Sequence, residues 1–138
     1  MPSWWDPYIV AWNAHDADTL ASFMAADAVY EDLALGERLA GRDAIRAWAA
    51  GIVDRLSSDF AFDTHAFFDA GDRYAAEWTM RGTHDRSGPR LAATGKPFAV
   101  RGVSVGRTVN GLIAENRDYW SLATLLVQVG AMPGPPPE

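Results

Sequence analysis

Apolar residues change their spacing once along this chain, near Ser58, and that change restricts the fold more than any other feature. Before it, Trp5, Ile9 and Trp12 recur at intervals of four and three, with Tyr8 and Ala11 alongside, and Ile45, Trp48, Ile52 and Leu56 form a second stripe. This is the spacing of helices that bury one side. Between the two stripes, Asn13 to Asp16 breaks the first helix, and Asp16 or Asp18 caps a short one carrying Leu20, Phe23 and Met24. A strand-like run, AVYEDLAL, starts at Ala28, and Gly41 precedes the third helix. After Ser58 the period is two, and four strands are expected: Asp59–Phe68, Asp72–Arg81, Phe98–Thr108 and Leu112–Trp120. Asn110-Gly111 is a strong hairpin signal, and Ser121 and Gly130 bracket a short closing helix, LATLLVQV. Helices first and antiparallel strands after predict an α+β fold, a curved sheet with its helices packed on one side.

At 138 residues the chain is sized for one domain, expected over residues 1–131, with a disordered Pro-rich tail over 132–138. A net charge of -6 argues against nucleic acid and anionic membrane as partners. No stretch approaches the ~20 apolar residues of a membrane span, and the start lacks the marks of a signal peptide, so the expected location is the cytoplasm. With no cysteine and three scattered histidines, His15, His65 and His84, no metal site is expected. Neither a phosphate-binding glycine loop nor a nucleophile elbow is present, and no cofactor is expected.

Two carboxylates carry the interest. In the last strand, Asp118 alternates with Leu112, Ala114, Asn116 and Trp120, whereas Glu115 and Arg117 fall on the opposite face with Ile113 and Tyr119. Asp118 is therefore either a solvated residue near a strand end or a carboxylate in an apolar pocket. In the second case burial raises its pKa toward neutrality, where it serves as acid or base. Asp32 shares a face with Tyr30, a phenol able to hydrogen-bond, and the pair is the minimum for proton transfer; the alternative is a loop-edge charge. Trp78 and Met80 share a stripe with Tyr74, Ala76, Gly82 and His84, which reads as core or as cavity wall. Gly102, Ser104 and Gly106 form a row of small residues that either borders a cavity or lets the sheet bend.

The segments YIVAWNAHDADTLASFMAADAVYEDLAL, GRDAIRAWAAGI, RGTHDRSGPRLAATGK and NGLIAENRDYW, with the closing LLVQVG, resemble the SnoaL-like polyketide cyclases of the nuclear-transport-factor-2-like superfamily. The resemblance runs from about Tyr8 to Gly130 and implies a cone-shaped curved sheet with the N-terminal helices on its concave side. The first helix and Tyr30-Glu31-Asp32 are similar to ketosteroid isomerase, and Arg117-Asp118-Tyr119-Trp120 to the limonene epoxide hydrolases. The resemblance implies Asp118 as acid/base, Asp32 as a second proton-transfer group, and Tyr8 or Tyr30 as donor to a developing enolate. Tyr8, Trp12, Trp78, Met80, His84, Ser104 and Trp120 would bind a small hydrophobic, polycyclic or polyketide-like substrate. The activity implied is cofactor-independent enolisation and intramolecular aldol ring closure, or isomerisation, in a homodimer. Alternatives are an epoxide hydrolase or hydroxylase of polyketide tailoring, or a non-catalytic small-molecule-binding module. Two departures weaken the sister activities. Ser104 stands where the isomerase has a second oxyanion donor, and Trp78-Thr79-Met80 where the hydrolases have an Arg-x-Asp pair.

Overall fold

The computed structural model describes residues 3–135, and in it α-helix predominates before Ser58 and strand after it, as the spacing predicts. Helix α1 spans Trp5–Asn13, α2 Ala17–Ala21 and α3 Arg42–Arg55, with strands β1 (Met24–Asp32) and β2 (Glu37–Ala40) between the second and third. Strands β3 (Ala61–Ala70), β4 (Arg73–Thr83), β5 (Pro97–Val109) and β6 (Leu112–Trp120) follow, and α4 (Leu122–Gln128) closes the series. The architecture is α+β, a six-stranded sheet in the order β2-β1-β6-β5-β4-β3. Helix α1 lies against β3, α3 against β1 and α4 against β5.

Local chemistry fixes the joints. Asp16 caps α2 by accepting the Thr19 N–H at 3.1 Å, and Ser121 caps α4 by accepting that of Thr124 at 3.1 Å. Asn110 and Gly111 both take positive φ, 53° and 77°, the backbone that a two-residue hairpin with matching twist demands. Residues 132–135 are exposed and carry neither helix nor strand; the remainder of the expected tail, 136–138, lies outside the described residues.

Three features depart from the alternation read in the sequence. β1 pairs with β6 in parallel, so the sheet is antiparallel everywhere except at this one seam. AVYEDLAL is not one strand: β1 starts earlier, at Met24, and ends at Asp32, after which a turn leads into the four-residue β2. Ile113 is buried rather than outward, because the pairing of β5 with β6 shifts register between Arg107 and Thr108; an extra residue in one strand swaps the faces beyond it.

The parallel seam positions the site. Asp32 lies level with Asp118 across it, and Ser104 on β5 lies level with Asp118 on the other side. One row of the sheet's inner face thus carries two carboxylates and a hydroxyl.

Candidate functional site

The inner face of the sheet alternates as strands require: Tyr74, Ala76, Trp78 and Met80 of β4 are buried, and so are Asn116 and Asp118 of β6. Across the register, Trp78 faces Gly102 and Tyr74 faces Gly106. A Cβ on Gly102 would overlap the Trp78 ring, and one on Gly106 the Tyr74 phenol. The row of small residues therefore makes seats for two aromatic rings, rather than open space. Laid flat over those seats, the rings deliver their polar ends to fixed points: Trp78 Nε1–H donates to Ser104 Oγ at 2.9 Å, and the Tyr74 hydroxyl to Asn116 Oδ1 at 2.6 Å.

Both chains of hydrogen bonds end on Asp118, which is 7% exposed. Ser104 Oγ donates to Asp118 Oδ1 at 2.6 Å and Asn116 Nδ2 donates to the same oxygen at 2.8 Å. The Tyr30 hydroxyl donates to Oδ2. Burial raises the Asp118 pKa; the three donors oppose it, Asp32 adds to it, and the outcome is about 6. The phenols move the other way in function, though upward in value. Burial and the nearby Asp118 push Tyr8 and Tyr30 above the ordinary tyrosine range, so both stay protonated donors at neutral pH.

Asp118 and Ser104 open onto a cavity walled by Trp5, Tyr8, Trp12, Phe62 and Trp78, with Tyr30 and Ile9 completing it. The walls lock by edge-to-face contacts, Phe62 on Trp78 at 5.1 Å and Trp12 on Phe62 at 5.5 Å between ring centroids. The free space is about 10 Å³, roughly what one water needs. Trp12 also lines a second void of about 10 Å³, with His15, Leu20, Ala49 and Phe60.

Of the residues singled out in the sequence, Tyr8, Trp12, Tyr30, Trp78, Ser104 and Asp118 meet at this cavity. Asp32 is level with Asp118 but outside the lining. It accepts the Trp120 indole N–H at 3.2 and 3.1 Å and the Leu35 N–H at 3.0 Å. Burial raises its pKa too, against those donors. Met80 is core, paired with Phe62 across β3 and β4. His84 is 1% exposed and sits where β4 leaves the sheet. Its N–H donates to Lys96 O at 2.8 Å and its ring bonds Thr94, so it closes the loop to β5 and is not part of the lining. The sequence reading left out Trp5, Phe62 and Asn116. Trp5 was legible in the helical stripe with Tyr8 and Trp12, and Asn116 in its alternation with Asp118; Phe62 carried no signal beyond an ordinary strand apolar. Among the described residues no group of three or more His, Asp or Glu converges as a metal site would require.

A model of the SnoaL-like domain matches residues 6–116. The chain matches no curated protein. Among solved structures, a hypothetical protein with a ketosteroid isomerase-like fold from Catenulispora acidiphila, in complex with trimethylamine, is 26% identical. The match covers 96% of this chain and 95% of that one, with a TM-score of 0.84. A protein from Jannaschia, provisionally named a SnoaL-like polyketide cyclase, is 16% identical over 93% of this chain and 92% of that one, at a TM-score of 0.78. AclR from Streptomyces galilaeus, provisionally named a hydroxylase, is 22% identical over 94% of this chain and 80% of that one, at 0.76.

Proposed function

The chain belongs to the SnoaL-like domain family, and from that premise we propose that it is a cofactor-independent acid/base enzyme of the cyclase or isomerase kind. One observation carries the proposal: a buried carboxylate of near-neutral pKa, Asp118, faces an aromatic cavity with two neutral phenols beside it. A base works best when its pKa lies near the working pH.

In the proposed reaction the Asp118 carboxylate takes a proton from the carbon next to a substrate carbonyl. The O–H of Tyr8 or Tyr30 donates a hydrogen bond to the enolate oxygen as its charge develops. The enolate carbon then bonds to a second carbonyl carbon of the same molecule, whose oxygen takes the proton back from Asp118. Ser104 and Asn116 hold the carboxylate in place throughout, and Asp32 tunes it through charge. A ring-forming substrate needs more than the room of one water, so the aromatic wall must open to admit it. The Catenulispora protein of the same fold is in complex with trimethylamine, which supports a small-molecule-binding reading of the fold.

The test is turnover. Asp118→Asn keeps size and most hydrogen bonds but cannot carry the proton; a loss of at least ~100-fold in kcat is expected, within the usual worth of one acid/base group. Near-normal turnover with the fold intact removes Asp118 from the mechanism. A second reading, hydration such as epoxide opening, is favoured by the fit of the cavity to a single water beside Asp118. Oxygen from labelled water appearing in product would select it, and oxygen from dioxygen would select hydroxylation. No turnover on any such substrate, with ligand binding retained, would select a binding module.

The proposal includes a cytoplasmic homodimer that packs through the outer sheet face, where Phe68 and Tyr119 are exposed and Val103 and Val105 are half-buried. Light scattering at micromolar concentration should return twice the chain mass; a monomer mass removes that part. Among the described residues no helix is long and apolar enough to cross a membrane.

A further inference from the structure

Asp118 accepts three hydrogen bonds yet has no counter-cation. Among the described residues its partners are hydroxyls and an amide, and the ion pairs between them all lie elsewhere. Buried carboxylates are ordinarily matched by a cation. The titratable groups that face this one do not supply it. From α1 comes Tyr8, from β1 Tyr30 and Asp32, and from β4 Tyr74 through Asn116: three neutral phenols and another acid. The nearby cation, Arg117, acts on Tyr74 and pairs with Glu115 at 3.9 Å.

Trp5, Trp12, Phe62 and Trp78 surround the same void. An aromatic wall attracts cations through its ring quadrupoles, and does so most strongly where water is excluded. An unmatched carboxylate and an aromatic enclosure are together the recognition chemistry of a small organic cation. We propose that the cavity binds a small alkylammonium ion, its nitrogen against Asp118 and its carbon groups against the indole and phenyl walls.

The inference rests on reading this cavity as the ligand site, but it does not depend on Asp118 performing proton transfer. Room for one water matches ammonium in size, and every alkylated member needs the aromatic wall to open. Trp12 and Phe62, which touch edge to face, are the wall residues whose parting would make that room. The chain's net charge of -6 favours the approach of cations over anions.

Calorimetric titration of the full chain with methylammonium and trimethylammonium chloride, beside the neutral tert-butanol, tests the idea. At pH 8 trimethylammonium should bind at least ~10-fold more tightly than tert-butanol, the scale of a desolvated cation–aromatic contact. That preference should fade toward pH 4.5, as Asp118 takes up its proton. Asp118→Asn should erase the preference while leaving tert-butanol binding in place. Should that variant unfold, Trp12→Leu provides a second arm and should weaken the cation more than the alcohol. Equal binding of cation and alcohol, or a preference that survives both pH 4.5 and Asp118→Asn, overturns the proposal. Those results with Asp118-dependent turnover intact would remove only the cation. Binding of neither probe, with turnover unaffected by Asp118→Asn, would also remove the reading on which it rests.

Discussion

Asp32 and Asp118 sit level with each other on neighbouring parallel strands and are almost equally hidden, 6% and 7% exposed, yet they are held in opposite ways. Asp32 ends its strand, and a backbone N–H of the following turn is among its donors, together with the Trp120 indole. Asp118 lies level with residues of two flanking strands and accepts only from side chains, each fixed in turn by another side chain or by burial. A carboxylate tied to a turn is part of the chain's architecture. One held by side chains alone, beside a void, is the one proposed to meet a guest. Burial alone therefore does not tell the two carboxylates apart; the origin of the donors does.

That contrast can be broken at several points. The largest effect should be on turnover: Asp118→Asn should cost at least ~100-fold, whereas Asp32→Asn should cost less than ~10-fold, on the usual scale of acid/base contributions. Comparable losses at both sites would erase the distinction.

Next comes stability against pH. The Asp118 pKa rises on folding from 3.8 to about 6. Below 3.8 both folded and unfolded chains hold the proton and the residue is neutral to stability. Between 3.8 and 6 the unfolded chain releases it first, and above 6 the folded state carries the whole cost of an ionised buried group, on the order of 3 kcal/mol. Relative to the parent, Asp118→Asn should thus gain stability by about that much between urea melts at pH 3.5 and pH 8. A difference that stays flat with pH would mean the carboxylate is better solvated than its surroundings indicate.

Third, Gly102→Ala should cost ~1–3 kcal/mol, because a methyl there intrudes on the Trp78 ring and the core cannot absorb it without strain. A near-neutral melt would show that the ring has an alternative seat. Smallest, Asp32→Ala should cost ~1–2 kcal/mol by leaving the Leu35 N–H and the Trp120 indole without their acceptor. The unfolding midpoint reports it, and no change would mean water replaces the carboxylate freely.

The sequence made Asp118 conspicuous because alternation alone placed it on a face without Glu115 and Arg117. It placed Tyr30 beside Asp32 for the same reason. What alternation cannot express is which strand lies next to which. The parallel β1–β6 seam joins segments separated by most of the chain, and only that pairing brings Tyr30 to Asp118. Likewise Gly102 and Gly106 look like empty space until register sets Trp78 and Tyr74 over them. β2 was missed because four residues are too few for a period to be seen, and Ile113 because one extra residue inverts the count. The size of the cavity was not legible either: aromatic residues name a wall, but whether their rings meet or stand apart is decided by packing angles.

The seam also bears on how the protein comes into being. Tyr30 and Asp118 are 88 residues apart, as are Asp32 and Trp120. On a ribosome the first partner of each pair waits for nearly the whole chain to emerge before the second exists. Contacts this remote in sequence close slowly, since the intervening loop must surrender its entropy first. Until then β1 has β2 as its one neighbour and one long edge open. Nascent chains should therefore gain protection from protease along β1 only once β6 has emerged, and a truncation ending before β6 should leave that strand without its lasting mate.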